Sequence, residues 1–305
     1  MAVPFFAAKN GDWIRATPVS DGTYLVVPGM RDVLKCFRLS DGELIWTSDF
    51  PAQSGTPLPS FGLVSSPLID GNALYAQAGA GVRRIDLQTG ETVWNALTGQ
   101  EEMRDSAFSS PVVATIAGKR QLVVQTRQTL CGLELASGDV LWSLPIEAYR
   151  DMNILTPLVI GDRIFTSAYG GGSVMIEVTR PSDDAWDAQT LWTNKAQAYM
   201  SSPVLIDGHL YMHLRNRRVV CLDVKTGETK WTSQPQEEYW SMVASGETIL
   251  ALDNSGTLIL VKANPQEFQI VEEYRVAEDS WAHLAVAGNT VVVRDLNKLT
   301  LWNWK

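Results

Sequence analysis

The sequence is poor in the side chains that most metal and redox chemistry uses, with three cysteines and three histidines in 305 residues. Cys36, Cys131 and Cys221 are neither adjacent nor clustered, which excludes a disulfide framework and a thiolate zinc site. Each lies in an apolar run and reads as a small core residue. His209 and His213 share one side of a strand at a spacing too long for one small ion, and His283 is far away in sequence. No apolar run reaches the roughly 18 residues that cross a bilayer as a helix. The opening MAVPFFAAKNGDW lacks the basic start and long apolar centre of a secretory leader. The expected compartment is cytoplasmic for the chain as given, and periplasmic or otherwise exported if a leader has been removed. Basic charge is also in deficit: 25 Lys and Arg face 34 Asp and Glu, a net charge of −9 that repels nucleic acid and anionic membranes. G-x-S-x-G, P-loop and H-E-x-x-H patterns are absent, and YGGGS at 169–173 lacks the Lys and the helix of a phosphate loop.

What the chain has in abundance is repetition. A small hydroxyl residue, Pro and an apolar pair recur in ATPVSDG, SSPLIDG, SSPVVATIAG, LTPLVIG and SSPVLIDG, and weaker copies, SMVASG and HLAVAG, follow. The glycines that end them, Gly22, Gly71, Gly118, Gly161, Gly208, Gly246 and Gly288, are 49, 47, 43, 47, 38 and 42 residues apart. After each comes a short apolar run, then a second one, then a turn leading to Trp: SDGELIW, QTGETVW, ASGDVLW and KTGETKW. Four short strands per unit of about 45 residues, joined by Gly, Asp and Asn turns, is the pattern of a propeller blade. The expected fold is all-β: one domain over 1–305, a seven-bladed β-propeller of four-stranded antiparallel blades. The seventh unit ends at KLTLWNWK, on its third strand, so Ala2–Ala8 (AVPFFAA) is the expected closing strand. A longer precursor could carry an eighth blade.

The repeated residues read as structure. Gly supplies the positive φ of a tight hairpin, and the hydroxyl or carboxylate before it can hold the turn backbone. Trp46, Trp94, Trp142, Trp192 and Trp231 begin outer strands, where an indole can fill the wedge between blades and give its N–H to a carbonyl. Glu43, Glu91, Asp139 and Glu228 sit at the same turn of different blades, so they read as solvated turn residues and not as a catalytic pair.

Residues that do not repeat lie in loops expected on one face, around the channel mouth. These loops carry Arg31, Arg104, Arg127, Tyr149, Arg150, Tyr169, Tyr199, Arg215, Arg217, Tyr239, Trp240 and Trp281. Arg, Tyr and Trp are the side chains richest in binding energy at interfaces. The face is therefore the candidate binding site for a protein segment or a small anionic ligand. The plainer alternative pairs these cations with Asp32, Asp105, Asp151 and Glu237. Asp105 and Asp151 are also the candidate carboxylate pair of a carbohydrate-processing enzyme, which requires them roughly 5 to 10 Å apart.

With the turns TGETKW and SGDVLW and the inner strands SSPVV and SSPVL, the chain resembles the PQQ-like β-propeller repeat family over essentially its whole length. The resemblance implies one of two things. One is a quinoprotein dehydrogenase, which holds its quinone against a disulfide of adjacent cysteines and a stacking Trp, with calcium on Glu, Asn and Asp. The other is a BamB-like, cofactor-free scaffold of the bacterial cell envelope. No two cysteines are adjacent here, so the expectation is the second: a non-catalytic, monomeric binding propeller with a protein or peptide partner, without PQQ, metal or nucleic acid. A PQQ-dependent, dehydrogenase-like enzyme is the alternative.

Overall fold

A computed structural model of the chain describes residues 14–304. Sequence-adjacent strands pair into seven sheets, spanning 19–49, 68–96, 112–145, 158–194, 204–232, 241–275 and 285–303. The fold class is a seven-bladed β-propeller. Six sheets have four strands, and the seventh has three among the described residues, ending at Leu299–Asn303. The expected closing segment, Ala2–Ala8, lies outside the described residues. One short helix, Phe50–Ser54, was not foreseen in the loop after the first sheet. The Asp49 carboxylate caps it by accepting from the Ala52 amide at 3.0 Å, Pro51 suits its first turn, and Gly55 ends it at φ 65°.

The hairpins that lead to Trp46, Trp94, Trp142 and Trp231 are built the same way. Gly42, Gly90, Gly138 and Gly227 amides donate to the carbonyls of Arg38, Asp86, Glu134 and Asp223 at 2.8 to 2.9 Å. Where the fourth residue before Gly is Asp, its carboxylate holds the turn as well, accepting from Gln88 and Thr89 at Asp86 and from Lys225 and Thr226 at Asp223. A register shift between the third and fourth strands follows in five sheets, at Cys36, Arg84, Gly132, Cys221 and Leu260. This bulge turns the outer strand and aims its Trp sideways.

Backbone packing divides the chain into two compact units, Met1–Thr166 with Ile176–Gln189, and Ser167–Met175 with Thr190–Lys305. In the first unit, Trp46 gives its indole N–H to Leu87 O at 2.8 Å and Trp94 to Leu135 O at 3.1 Å, each in the next sheet. Their rings lie on the next hairpin's glycine, where a Cβ on Gly90 would come within 2.7 Å of Trp46 and one on Gly138 within 2.8 Å of Trp94. Trp142 departs from the expected pattern: its N–H goes to the Gln121 side chain of its own sheet at 2.6 Å. The next hairpin in sequence is the long, Gly-free one at 182–185, so no tidy turn is available to receive it. The hydroxyls before Pro form a second set of links that the sequence reading missed. Ser66, Ser110 and Thr156 each accept from the equivalent amide one sheet earlier, Thr17, Ser66 and Ser110, at 2.9 to 3.2 Å. Around these links Leu34, Phe50, Leu74 and Ile85 pack in one cluster and Tyr75, Leu122, Val124 and Leu133 in another. Full burial of such a side chain contributes about 1.5–3 kcal/mol.

The second unit repeats the scheme. Trp192 donates to Val224 O at 3.2 Å and Trp231 to Asn264 O at 2.7 Å. Its core gathers Tyr211, Val219, Trp240, Ile249 and Ile259 in one cluster and Leu252, Leu258, Leu284, Val291 and Val293 in another.

Candidate functional site

The residues foreseen as a binding surface fall into two loop clusters, one per unit, and they are not alike. In the first unit, Arg127 sits in the turn between the second and third strands of its sheet. Its guanidinium is 3.7 Å from the Asp105 carboxylate, donates to the Ser106 and Arg150 carbonyls at 3.2 and 3.1 Å, and lies over the Phe108 ring at 5.3 Å. Phe61 meets Phe108 edge-on at 5.5 Å. Arg127, Gln128, Glu102, Asp105 and Asp151 line an open polar depression of about 590 Å³. Its carboxylates already have partners. Glu102 accepts from Thr126 Oγ1 and the Gln128 amide, and Asp151 accepts from Gln128 Nε2.

Asp105 also accepts the amides of Ser60 and Ser106 at 2.7 and 2.8 Å. Partial burial works to raise its pKa, but those amides and Arg127 prevail and hold the carboxyl below its ordinary value. That is the reverse of what the acid of a glycosidase pair needs. Tyr149 and Arg150 are exposed nearby in sequence, the guanidinium 5.2 Å from the ring centroid. Arg31 is half-buried and Arg104 exposed, and both make interactions of their own.

In the second unit, four aromatic rings stand in a row, Tyr169 from a turn between second and third strands and Tyr199, Tyr239 and Trp281 from the loops that precede the fifth, sixth and seventh sheets. Tyr169 meets Tyr199 at 5.9 Å between centroids, Tyr199 meets Tyr239 at 6.4 Å, and Tyr239 meets Trp281 at 4.6 Å. The Arg215 guanidinium lies over the Tyr169 ring at 4.0 Å, closing one end. Among the described residues Arg215 makes no ion pair and its side chain donates no hydrogen bond, so its charge faces outward. Arg217 is exposed in the same turn, at φ 65°.

Main-chain bonds fix the row. Gln197 accepts the Arg215 amide on its carbonyl at 3.0 Å and the Gly170 amide on its side chain at 3.3 Å, tying the Tyr169, Tyr199 and Arg215 loops together. Asn254 does the same further along: its amide donates to Glu238 O at 3.0 Å and its carbonyl accepts from the Ser280 amide at 2.9 Å. Asn254 owes its position to Asp253, a buried carboxylate that accepts from the Gly256 and Thr257 amides. Tyr239 itself is held at φ 56°, a conformation that costs a bulky residue roughly 1–2 kcal/mol. Such strain persists where the surroundings over-determine it, and it concentrates at binding sites. Burial, then the Glu238 and Tyr199 charges, raise the Tyr239 pKa against the opposing effect of Arg215, so its hydroxyl remains a donor.

One foreseen binding residue is corrected by this geometry. Trp240 is 1 % exposed, stacked on His213 at 5.4 Å and 18°, and no partner can reach it. It is the first residue of its sheet's core, the buried neighbour that anchors Tyr239. His213 resolves in the same way. It ends the second strand of its sheet, as Gln77 and Gln125 end theirs, and all three use a side-chain nitrogen to reach a carbonyl of the following loop. Gln77 reaches Ser109 O at 2.7 Å, Gln125 reaches Leu155 O at 3.2 Å, and His213 Nε2 reaches Glu237 O at 2.9 Å. Burial lowers the His213 pKa to about 4, so the ring is neutral with its proton on Nε2. Aligning the strand ends would have found this role. Gln197 and Asn254, which act mainly through backbone, leave no such signal.

The thiols are not placed to form the disulfide of adjacent cysteines against which a quinoprotein dehydrogenase holds its quinone. The three thiols lie in three different sheets, are 0 to 1 % exposed, and are raised by burial to about 11, 12 and 11 at Cys36, Cys131 and Cys221. Among the described residues no group of three or more His, Cys, Asp or Glu side chains could hold a metal ion. No helix among them is long and apolar enough to cross a membrane.

Hydroxyl–Pro inner strands, Gly–Trp hairpins and a strapped row of loop aromatics together define a β-propeller of PQQ-like repeats. The chain belongs to the family described as outer membrane protein assembly factor BamB, whose model matches residues 6–233. It is similar to the outer membrane protein assembly factor BamB of Moranella endobia (strain PCIT), 22% identical over 279 residues, covering 85% of this chain and 68% of that protein. Among solved structures, BamB from Moraxella catarrhalis superposes with a TM-score of 0.76 at 17% identity, covering 96% of this chain and 86% of that one. The computationally designed protein Ika8 superposes with a TM-score of 0.55 at 12% identity, over 97% and 98%. At these identities the two structures speak for the fold alone.

Proposed function

We propose that this protein is a non-catalytic binding propeller that serves outer-membrane protein assembly, and that it recognises a protein segment at the aromatic row of its second unit. The observation that carries the reading is Arg215, an exposed cation without an ion pair among the described residues, stacked at 4.0 Å on the first of four loop aromatics held in register by hydrogen bonds between their loops. Rigid aromatic side chains give contact area at low entropic cost, and Arg adds directed hydrogen bonds. Membership of a family named for outer-membrane protein assembly supports both the role and an exported location. The fully partnered carboxylates of the first unit and the dispersed, buried thiols favour binding over a reaction.

The test is deletion of the gene in the organism that carries it, with outer-membrane protein levels as the readout. A reduced level should be restored by the wild-type gene and poorly by one carrying Tyr199→Ala and Arg215→Glu together. An unchanged outer-membrane protein profile after deletion overturns the role, and full restoration by the double variant overturns the site.

A further inference from the structure

The hydrogen bonds of the first unit leave one buried acceptor over. Gln77, 3% exposed, donates from Nε2 to the carbonyls of Ser109 at 2.7 Å and Gln125 at 3.2 Å. Two carbonyl partners fix the amide's orientation, because turning it over would set oxygen against oxygen. Oε1 therefore faces the other way, where it accepts from no group among the described residues. Buried polar atoms in native proteins nearly always have a partner, so this oxygen calls for a donor.

The next sheet shows which donor is missing. Tyr75, Val123 and Phe165 each pair with the residue after the inner proline, Leu68, Val112 and Leu158. Gln77 and Gln125 stand two places after Tyr75 and Val123, so they are equivalent, and Gln125 Oε1 accepts from Thr166 Oγ1 at 2.7 Å. Thr166 stands one place after Phe165, and its equivalent in the third sheet is Val124, which has no hydroxyl to give.

Gln77 also lines a small cavity, with Asp32, Gly79, Met103 and Ser106 among its other walls. It leaves about 20 Å³ for a water-sized sphere, enough for one water at about 10–15 Å³ and for nothing larger. Asp32, 3% exposed, gives one oxygen to the Gly79 amide at 2.8 Å and makes no ion pair among the described residues. Charge decides what the cavity takes. Arg83, 6% exposed, is near enough to act on Asp32 electrostatically, while its guanidinium donates to the Ala78 and Gly79 carbonyls at 3.1 and 3.0 Å. The two charges balance, so a metal ion or ammonium would bring an uncompensated positive charge beside a buried guanidinium. A neutral donor brings none.

We infer that this cavity is the site of one internal water, which donates one hydrogen to Gln77 Oε1 and the other to the Asp32 carboxylate. Asp32 lies in the turn between the second and third strands of the first sheet, and Gln77 ends the second strand of the second sheet. The water thus links two neighbouring blades, as the Thr166 hydroxyl links the third to the fourth. The site goes beyond the binding reading and stands without it.

The test is a crystal structure of the full chain at about 1.5 Å resolution, fine enough to place ordered water, with oxygen-17 relaxation dispersion of the same protein in solution. The expected density is a single peak within about 3.2 Å of Gln77 Oε1 and of an Asp32 oxygen. Gln77→Met keeps the side chain's length and removes the acceptor, so it should lose the peak and one long-lived water. No peak in the wild-type protein overturns the site, and a peak within reach of only one of the two side chains overturns the bridge. An anomalous signal there after exchange into rubidium chloride overturns water in favour of a cation. An unchanged number of long-lived waters in Gln77→Met, shown to be folded by circular dichroism, overturns Gln77 as the anchor. If that variant does not fold, the wild-type density decides.

Discussion

Arg127 and Arg215 occupy matching places in the repeat, each in the turn between the second and third strands of its sheet, and they have opposite lives. Arg127 is enclosed by a carboxylate, two carbonyls and a phenyl ring. Arg215 has a ring beneath it and water above. The sequence neighbourhood shows why. The loop before the third sheet supplies Asp105 and Phe108, which face Arg127, whereas the loop before the fifth supplies Tyr199 and only backbone for Arg215. One repeat position is thus an internal brace in one unit and an exposed cation in the other, according to what the preceding loop provides.

The same contrast separates two tryptophans of the second unit, and it gives the largest expected effect. Trp240→Ala should cost about 3–5 kcal/mol in urea unfolding, as truncating a buried aromatic does, while Trp281→Ala should stay within about 0.5 kcal/mol. Similar losses for the two would erase the distinction between anchor and surface.

Acid sharpens the contrast between the units. Asp32, buried in the first, accepts the Gly79 amide at 2.8 Å, and burial raises its pKa to about 6 despite that bond and Arg83. The folded state then binds the proton more tightly than the unfolded state, so this group adds stability as pH falls from about 6 towards 4, up to roughly 3 kcal/mol. His213, in the second unit, works the other way. Its folded pKa lies below the unfolded value, so its contribution is complete above about 6.5 and is lost as pH falls towards about 4. Hydrogen-exchange protection, corrected for intrinsic rate, should therefore rise in the sheets around Asp32 and fall in those around His213 between pH 6.5 and 4. Asp32→Asn should flatten the first trend and hold protection near its low-pH level, because the neutral amide has no charge to desolvate and its oxygen can still accept the Gly79 amide. His213→Gln, which copies Gln77 and Gln125, should flatten the second with little loss at neutral pH. Parallel trends in both units would break the comparison.

Next in size, Arg127→Ala should cost about 2 kcal/mol because it strips a charge and two hydrogen bonds from a half-buried Asp105 neighbourhood. The smallest effect is that of Arg215→Ala on stability, within about 0.5 kcal/mol. A stability loss at Arg215 equal to that at Arg127 would show that both are braces.

Most of this fold was legible in the sequence. The glycine spacing counted the blades, and the Gly–x–x–x–Trp turns located four of the six third-to-fourth strand hairpins, because local backbone chemistry dictates both. The helix at Phe50–Ser54 escaped because five residues carry no period, although Asp49, Pro51 and Gly55 marked its ends. The candidate site was legible in composition but not in arrangement. Arg and aromatic content identified the loops, but burial of Trp240 against exposure of Trp281 depends on which way each chain leaves its loop, and no local pattern records that. His213 looked like a stray titratable group until its strand was set beside those ending in Gln.

The two backbone straps carry a consequence for how such a protein can change over generations. Asn254 fastens its neighbours through its amide and carbonyl, atoms every residue but proline supplies, and the rings at Tyr239 and Trp281 ride on loops held by those atoms. Substitutions at the row therefore change the surface it presents without loosening the backbone that carries it. A lineage can exchange Tyr for Phe, Leu or Arg along this line and vary that surface one position at a time, like type reset in a fixed frame.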